Sequence, residues 1–497
     1  MKFEIFSCLQ ITSIIFKAIV YESGEIKLDS DMRNNLLEGS VLKKLTLFAI
    51  PFLASNVVQS LYNVADMLIV GNFGGTVTKT GEIITKTASM SGVNIGGQVT
   101  FILTNAVVGL CVGATVLVGQ YIGSKNEDAL RKVIATIMTL LPAIAVFLTA
   151  VMLIFRHPLL QLIKTPAESY SEADSYLTVT TLGLFFIFGY NALAAILRGM
   201  GDSKHPFYFV LAACITNVLL DLLFCAVFKW GAFGAALATV ISQAMSMGLC
   251  IIYMILNKFQ FDFKLSSFKI DKEQLKLILK IGTPTCVANS IVSGSFLFLT
   301  TIVNNIGVSA SAAVGAAAKF NSFAFMPLIA ISSSVSAMSA QSIGANNLKR
   351  AVQACQIGSA FCFAIMVVFF AFVQIFPESI IAIFVNNDEV IAYGTLYLRA
   401  MSYDFLLVPF TFCINGLLIG GGHTMLSLVS NMVSSIILRA PLCYLFGVLM
   451  QMGITGVGMG IPIASLGTLI IMVGYMLTGK WKHNAAQSGA ASGEISM

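Results

Sequence analysis

The sequence predicts an all-α membrane protein of twelve transmembrane helices in two homologous six-helix bundles. Composition is the first observation behind this. Of 497 residues, 57% are hydrophobic and 10% charged, whereas soluble proteins carry about 25% charged residues. The second is length: twelve stretches reach the ~20 mostly apolar residues that a helix needs to cross a bilayer. The third is a repeat. Gln120-Tyr121-Ile122-Gly123 returns as Gln341-Ser342-Ile343-Gly344, and Gly199-Met200-Gly201 as Gly420-Gly421-Gly422, both at 221 residues. Gly231-Ala232-Phe233-Gly234 returns as Gly453-Ile454-Thr455-Gly456 at 222. Pro51 matches Pro284 at 233, so the first half holds 12 extra residues between Pro51 and Gln120. A polar segment, Thr76 to Ser91, lies there and has no counterpart after Asn305. Two similar halves in a membrane, with a path between them, are the usual plan of a secondary transporter. No apolar stretch alternates over ~10 residues as a barrel strand would.

In chain order, residues 1–35 read as a leader. Ile5 to Val20 is apolar, but Gln10 and Lys17 interrupt it and no small-residue cleavage site follows. The expectation is a start at Met32 or a dispensable leader. The first bundle is 36–256, with spans one to six near 45–70, 95–119, 133–155, 174–197, 206–228 and 232–256. An amphipathic, charged linker follows at 257–280. The second bundle is 281–480, with spans seven to twelve near 281–304, 315–340, 354–376, 392–418, 425–449 and 453–478. Residues 481–497 read as a disordered cytoplasmic tail. With both termini placed in the cytoplasm, 18 Lys and Arg fall on that side and five on the other. That asymmetry sets the orientation and calls for an even number of spans.

Several classes are excluded. The basic residues flank spans and form no separate basic domain, which argues against nucleic-acid binding. The ten cysteines include no CxxC, and most lie in apolar stretches, where Cys acts as a small hydrophobe. The histidines sit at helix ends or in loops. There is no HExxH and no G-x-S-x-G, so no enzyme, catalytic residue or cofactor is expected. Gly456-Val457-Gly458-Met459-Gly460 lies inside a span, not at the strand-to-helix turn of a nucleotide site. No selectivity ring of a channel is legible.

Charges inside a bilayer are costly and need a reason. Span one carries Asn56, Gln59, Asn63 and Asp66 at steps of 3, 4 and 3, which places them on one helix face. Asp221 follows Asn217 by one turn in span five, and Thr239 lies in span six. At 1.5 Å per residue, Asp66, Asp221 and Thr239 lie roughly 7–11 Å below the outer boundary. Two carboxylates, an amide and a hydroxyl at one depth suit a hard monovalent cation or a shared proton; the alternative is a hydrogen-bond network that holds the bundle together. In the second half, Asp404 and Arg439 lie at similar depth. A mutual ion pair is expected, with a substrate-facing Asp404 as the alternative. Lys319 snorkels to the surface. Pro51 removes a helix hydrogen bond, giving a fixed kink or a bend that changes between states.

These residues carry a resemblance. Asn63-Val64-Ala65-Asp66-Met67-Leu68-Ile69-Val70-Gly71, Leu197-Arg198-Gly199-Met200-Gly201-Asp202, Thr216-Asn217-Val218-Leu219-Leu220-Asp221 and Gly231 to Thr239 resemble the multidrug and toxin extrusion (MATE) family. The resemblance covers about residues 36–480. It implies two bundles arranged as a V around a central cavity. It also implies a cation site, for Na⁺ or H⁺, at Asp66, Asn217, Asp221 and Thr239, and a bending proline at Pro51. Some members carry an acidic residue in span seven. Here Ser293 to Thr301 has none, and Leu299 stands where the repeat would place Asp66, so a second cation site is not expected. The implied function is a secondary antiporter of the cell membrane that exports organic cations and other amphipathic drugs by alternating access. Its partners would be small molecules and membrane lipids, with Asn56, Gln59, Asn63 and Asp404 touching substrate, and the chain would be a monomer. The alternative is a related flippase for a lipid-linked saccharide. That function calls for a strongly cationic cavity, and this chain offers mainly Arg439 and Lys319.

Overall fold

We describe the protein from a computed structural model, which covers residues 36–77, 83–257, 261, 264 and 267–482. The leader and the tail beyond Lys482 lie outside the described residues. Among the described residues, ten helices are long and apolar enough to cross a membrane. Two further spans are bent pairs, which brings the count to twelve. Spans one to three are Val41–Phe73, Lys86–Gly123 and Glu127–Leu162. Span four is Ala167–Leu182 with Leu184–Gly199. Spans five and six are Lys204–Val227 and Gly231–Leu256. Spans seven to nine are Lys272–Ile306, Val308–Gly344 and Leu348–Ile375, span ten is Asp388–Leu406 with Val408–Gly420, and the last two are Thr424–Leu449 and Gly453–Leu477. Among the described residues, one antiparallel hairpin, Thr76–Val77 with Ile83–Ile84, is the only strand pair. It lies in the insertion peculiar to the first half. The helix of span two starts directly after it, well before the apolar stretch begins.

The faint sequence repeat is sharp in the turns. After span two, Ser124 N, Lys125 N and Asn126 N donate to Gln120 O, Ile122 O and Tyr121 O; after span eight, Ala345 N, Asn346 N and Asn347 N donate to Gln341 O, Ile343 O and Ser342 O. Lys125 and Asn346 share a left-handed φ of 56° and 57°. After spans four and ten the chain reverses through Gly201 and Gly422, at φ 90° and 81°, a region that favours glycine. Between spans five and six, Phe228 N and Trp230 N donate to Leu223 O and Phe224 O. Between spans eleven and twelve, Met450 N and Met452 N donate to Leu445 O and Phe446 O.

Spans four and ten are both broken. Span four bends by 48° at Gly183 and span ten by 45° at Leu407. In span ten, Pro409 opens the second segment and has no N–H to continue the helix ladder. The five residues before the break, Ser402–Leu406, wind as a tighter 3₁₀ turn. Span one runs as a single helix through Pro51.

The chain forms two compact units. The first comprises, among the described residues, Ala54–Ala114 and Asp128–Leu275; the second comprises Leu36–Leu53, Thr115–Glu127 and the residues from Lys276 onward. A core of Leu45, Leu299, Leu328, Met338, Phe405 and Leu417 fills the second unit. Arg350 ties the entry of span one to it: Nε donates to Leu36 O at 2.7 Å, and Nη1 and Nη2 donate to Gly39 O and Glu38 O at 3.0 and 3.1 Å. In the same unit, the two copies of the Gln-x-x-Gly motif meet reciprocally. A Cβ on Gly123 would collide with the Gln341 carbonyl, and one on Gly344 with the Gln120 carbonyl. Gln120 Nε2 also donates to Gly420 O at 2.9 Å. Small residues let membrane helices approach to backbone contact, and here both crossing helices use one at the crossing.

Gly123→Ala and Gly344→Ala should each destabilise the protein by about 1–3 kcal/mol, the usual cost of overpacking. Gly248→Ala, with no atom within 4 Å of the added carbon, should be neutral within about 0.5 kcal/mol. Thermal unfolding of the purified variants in detergent checks the contrast.

Candidate functional site

The first unit brings three spans together around buried polar groups. Span one carries Asp66 into the interior at 7% exposure, while Gln59 and Asn63 on the same helix are exposed and Asn56 is half-buried. The stripe predicted from the sequence therefore runs from the surface of the unit into its interior, with only its last member enclosed. Span five supplies Asn217 and Asp221, at 1% and 0% exposure, and span six supplies Thr239 at 8%. Asp221 is the last α-helical residue of span five; Leu222–Val227 continue as a π-helix. Such wide turns recur at functional sites because they re-aim side chains and backbone. The carboxylates of Asp66 and Asp221 are close enough to interact electrostatically.

None of the four residues meets its hydrogen-bonding capacity from the protein. Asp66 Oδ1, both side-chain atoms of Asn217, both carboxylate oxygens of Asp221 and Thr239 Oγ1 are buried without a protein partner. Buried polar groups are otherwise paired in the great majority of cases. An apolar cluster that includes Ile69, Val70, Val93, Cys225, Ala232 and Ala236 packs the surrounding helices. A cavity of about 30 Å³ adjoins the site, lined by Gln59, Tyr62, Asn217 and Ser242 among others. It has room for an ion or a water molecule and is far below the ~300–1,000 Å³ of a drug-sized pocket.

Three residues escaped the sequence reading. Tyr62, one turn before Asp66, and Tyr176, in span four, both lie within the fields of Asp66 and Asp221 and beside Thr239. The spacing of four from Tyr62 to Asp66 was a usable signal. Glu172 is a further buried carboxylate of the first unit, beside Asp66 and Asp221. It is 6% exposed, inside a helix that starts at Ala167, earlier than the apolar stretch from which span four was read.

In the second unit, Asp404 is buried at 4% exposure in the 3₁₀ turn before the break of span ten. The expected ion pair with Arg439 is not formed. Asp404 Oδ1 and Arg439 Nε and Nη1 are all without partners, and the guanidinium instead lies over the Phe296 ring, 5.3 Å from its centre. Matching depth along two helices leaves their facing angle free, and here the side chains do not meet. A cavity of about 470 Å³ lies between spans seven and eleven, lined by Gly294, Ser295, Phe298, Ser435 and Tyr444 among others. Asp404 lines neither this cavity nor the small one. Thus the candidate substrate residues divide: Asn56, Gln59 and Asn63 lie in the first unit and Asp404 in the second. Among the described residues, no three His, Cys, Asp or Glu side chains gather as a metal cluster.

Twelve candidate spans in two repeated halves, with buried oxygen groups among them, have the plan of a membrane transporter. The MatE family model matches residues 51–223 and 284–445, one match in each half and each beginning at the repeated proline; the chain belongs to the MATE family. It is 27% identical over 449 residues to the probable multidrug resistance protein YpnP of Bacillus subtilis, covering 90% of this chain and 97% of that one. It is 29% identical over 443 residues to the probable multidrug resistance protein YoeA of the same organism, covering 88% and 93%. It is also similar, at 23% identity over 446 residues, to a FAD transporter of Shewanella oneidensis, covering 87% and 94%. A crystal structure of MATE in the bent conformation superposes with a TM-score of 0.82 at 22% identity, covering 92% of this chain and 99% of that one. The fold is the same.

Because Asp404 and Arg439 feel each other's field without forming an ion pair, a double-mutant cycle of Asp404→Asn and Arg439→Gln should give a coupling well below that of a bonded buried pair in thermal stability. Breaking a buried pair by removing one partner costs ~3–5 kcal/mol, so a coupling of that size would mean that the two charges bond.

Proposed function

We infer that the protein exports organic cations and other amphipathic small molecules across the cell membrane, in exchange for Na⁺ or H⁺ entering the cell. One observation carries the reading: Asp66, Asn217, Asp221 and Thr239 are buried in one unit with unmet oxygen and amide capacity. In a low-dielectric interior such groups are expensive, and a bound monovalent cation or proton would offset that cost. Membership of a transporter family and the two relatives named for multidrug resistance support drugs as the cargo.

The mechanism follows from differential affinity. An ion drives a conformational change only if it binds the two states unequally. Ion binding would draw Asp66 and Asp221 together through shared oxygen ligands. Span one would then change its bend at Pro51 or its packing, and the substrate path would shrink and release its cargo. Asn56, Gln59 and Asn63, one to three turns along span one from Asp66, would feel that change directly. Asp404 would offer a second carboxylate to a cationic cargo. We place both termini in the cytoplasm and take the monomer as the working unit.

The test is efflux of a fluorescent cationic dye from proteoliposomes under separately imposed Na⁺ and H⁺ gradients. Efflux should follow one gradient, and Asp66→Asn or Asp221→Asn should slow it by about tenfold or more, the cost of losing a charged ligand. Asn63→Ala should raise the dye KM and leave the ion dependence unchanged. Efflux indifferent to both aspartate substitutions would make the buried cluster structural. Absence of dye transport in folded protein would favour the flippase.

A further inference from the structure

We propose that Glu172 is a positioning residue: with Ser89 it forms a clasp that fixes the start of span six and thereby the placement of Thr239 against Asp66 and Asp221. The proposal rests on the ion-coupled reading of that site.

The clasp is a chain of short contacts inside the first unit. Ala232 N donates to Glu172 Oε2 at 2.8 Å, and Ser89 Oγ donates to the same oxygen at 2.9 Å. Ser89 Oγ also lies 2.7 Å from Gly74 O, so its single proton is shared between the Glu172 and Gly74 oxygens. Ser89 is fully buried and Glu172 nearly so. One carboxylate thus joins span two, span four and span six, and the serine hydroxyl reaches the residue just beyond the end of span one. The helices are close here: a Cβ on Gly92 would stand 2.6 Å from Glu172 Cβ.

The start of span six needs this partner. The first amides of a helix have no acceptor within it, and an unmet amide in hydrocarbon costs several kcal/mol as a rule. Span six begins after Trp230 without a side-chain cap of its own. Glu172 supplies the acceptor from another helix, and a carboxylate at a helix N-terminus also suits the positive end of its dipole. Thr239 lies two turns further along the same helix. Tyr176, one turn from Glu172 on span four, reaches the same site. Cys225, in the π-helix after Asp221, lies within the fields of Asp221, Asp66 and Glu172, so the clasp and the site are adjacent.

The second half makes the comparison. There Ser309 Oγ donates to Glu389 Oε2 at 2.8 Å, in an exposed contact between spans eight and ten. At the repeat offset of 221, Glu389 corresponds to Glu168, one turn before Glu172 in span four. The first half has moved this serine–glutamate contact one turn inward, buried it, and given it a third partner in span six. Ser89 lies in the first turn of span two as Ser309 lies in the first turn of span eight, and only the first half has the two aspartates.

The experiment measures amide hydrogen exchange over residues 226–240 together with ion-dependent dye efflux, for the native protein, Glu172→Ala, Glu172→Gln and Ser89→Ala. Glu172→Ala should speed exchange at the start of span six. It should raise the ion concentration for half-maximal efflux by about tenfold, the loss of a buried acceptor, while dye affinity without the ion stays within about twofold. Glu172→Gln keeps an acceptor for Ala232 N–H and should stay close to native in both readouts; Ser89→Ala should fall between. If Glu172→Ala does not fold, Ser89→Ala carries the test. Unchanged exchange and ion dependence in a folded Glu172→Ala would overturn the proposal. So would a Glu172→Gln variant with native exchange and a defect as large as that of Ala, because charge rather than position would then matter. A native protein without ion-dependent efflux, in which Glu172→Ala still loosens span six, would remove the antiport reading and leave the clasp in place.

Discussion

A polar group inside hydrocarbon must find a partner or a reason, and this constraint sorts the carboxylates of the first half. Glu172 accepts two hydrogen bonds, one from a helix amide that would otherwise be orphaned. Asp221 accepts none from the protein on either oxygen, and Asp66 leaves one oxygen bare. The three lie in one compact unit with similar burial, so burial alone does not distinguish them. Their partners do. A satisfied carboxylate holds helices together, whereas the unsatisfied ones, in the same unit as the unpartnered Asn217 and Thr239, are what the ion-coupled proposal rests on.

The twofold repeat explains where such a site can arise. Three turns agree between the halves in their backbone hydrogen bonds, those after spans two and eight, four and ten, and five and eleven, down to the left-handed residues at Lys125 and Asn346. The interiors of the halves do not agree. Leu299 is buried at 3% exposure where the repeat would place an aspartate, and the second half keeps its serine–glutamate contact on the surface. Turn geometry is fixed by backbone bonding that both halves need in order to fold. Interior side chains are free to diverge once the backbone is secured, so the asymmetry falls on the polar groups.

Much of this was legible in the sequence, and the gaps have physical causes. Span number follows from apolar length, and the repeat from turn glycines that tolerate few replacements. The face shared by Asn63 and Asp66 follows from helical spacing. Glu172 was hidden because apolar runs mark the hydrocarbon core, while the helix of span four begins earlier, at Ala167. The bends at Gly183 and Leu407 were hidden because Pro51, Pro142, Pro284, Pro327 and Pro462 lie inside unbroken helices of the same chain, so a glycine or proline in a span did not by itself mark a break. The Asp404–Arg439 pairing failed for a further reason: residue counting gives depth along an axis and says nothing of rotation about it. Asp404 lies in a 3₁₀ turn, Ser402–Leu406, and Arg439 ends a π-helix, Val433–Arg439, so neither follows the regular α-helical spacing on which the counting rests.

Those irregular turns also bear on how the protein moves. Regular helix is stiff because every amide is bonded four residues back. The breaks in spans four and ten, and the π-helices of spans five and eleven, interrupt that ladder in the helices that carry Asp221, Asp404 and Arg439. Span four carries Tyr176 and Glu172 on the segment before its bend at Gly183. A rearrangement that begins at the carboxylates thus meets helices already weakened at defined points. At the other end of the same unit, the turn at Gly201 is held by Asp202, whose carboxylate bonds the Lys204 and His205 amides. Motion on the proposed mechanism would be directed into the breaks, and the buried carboxylates Asp66 and Asp221 lie among the helices that contain them.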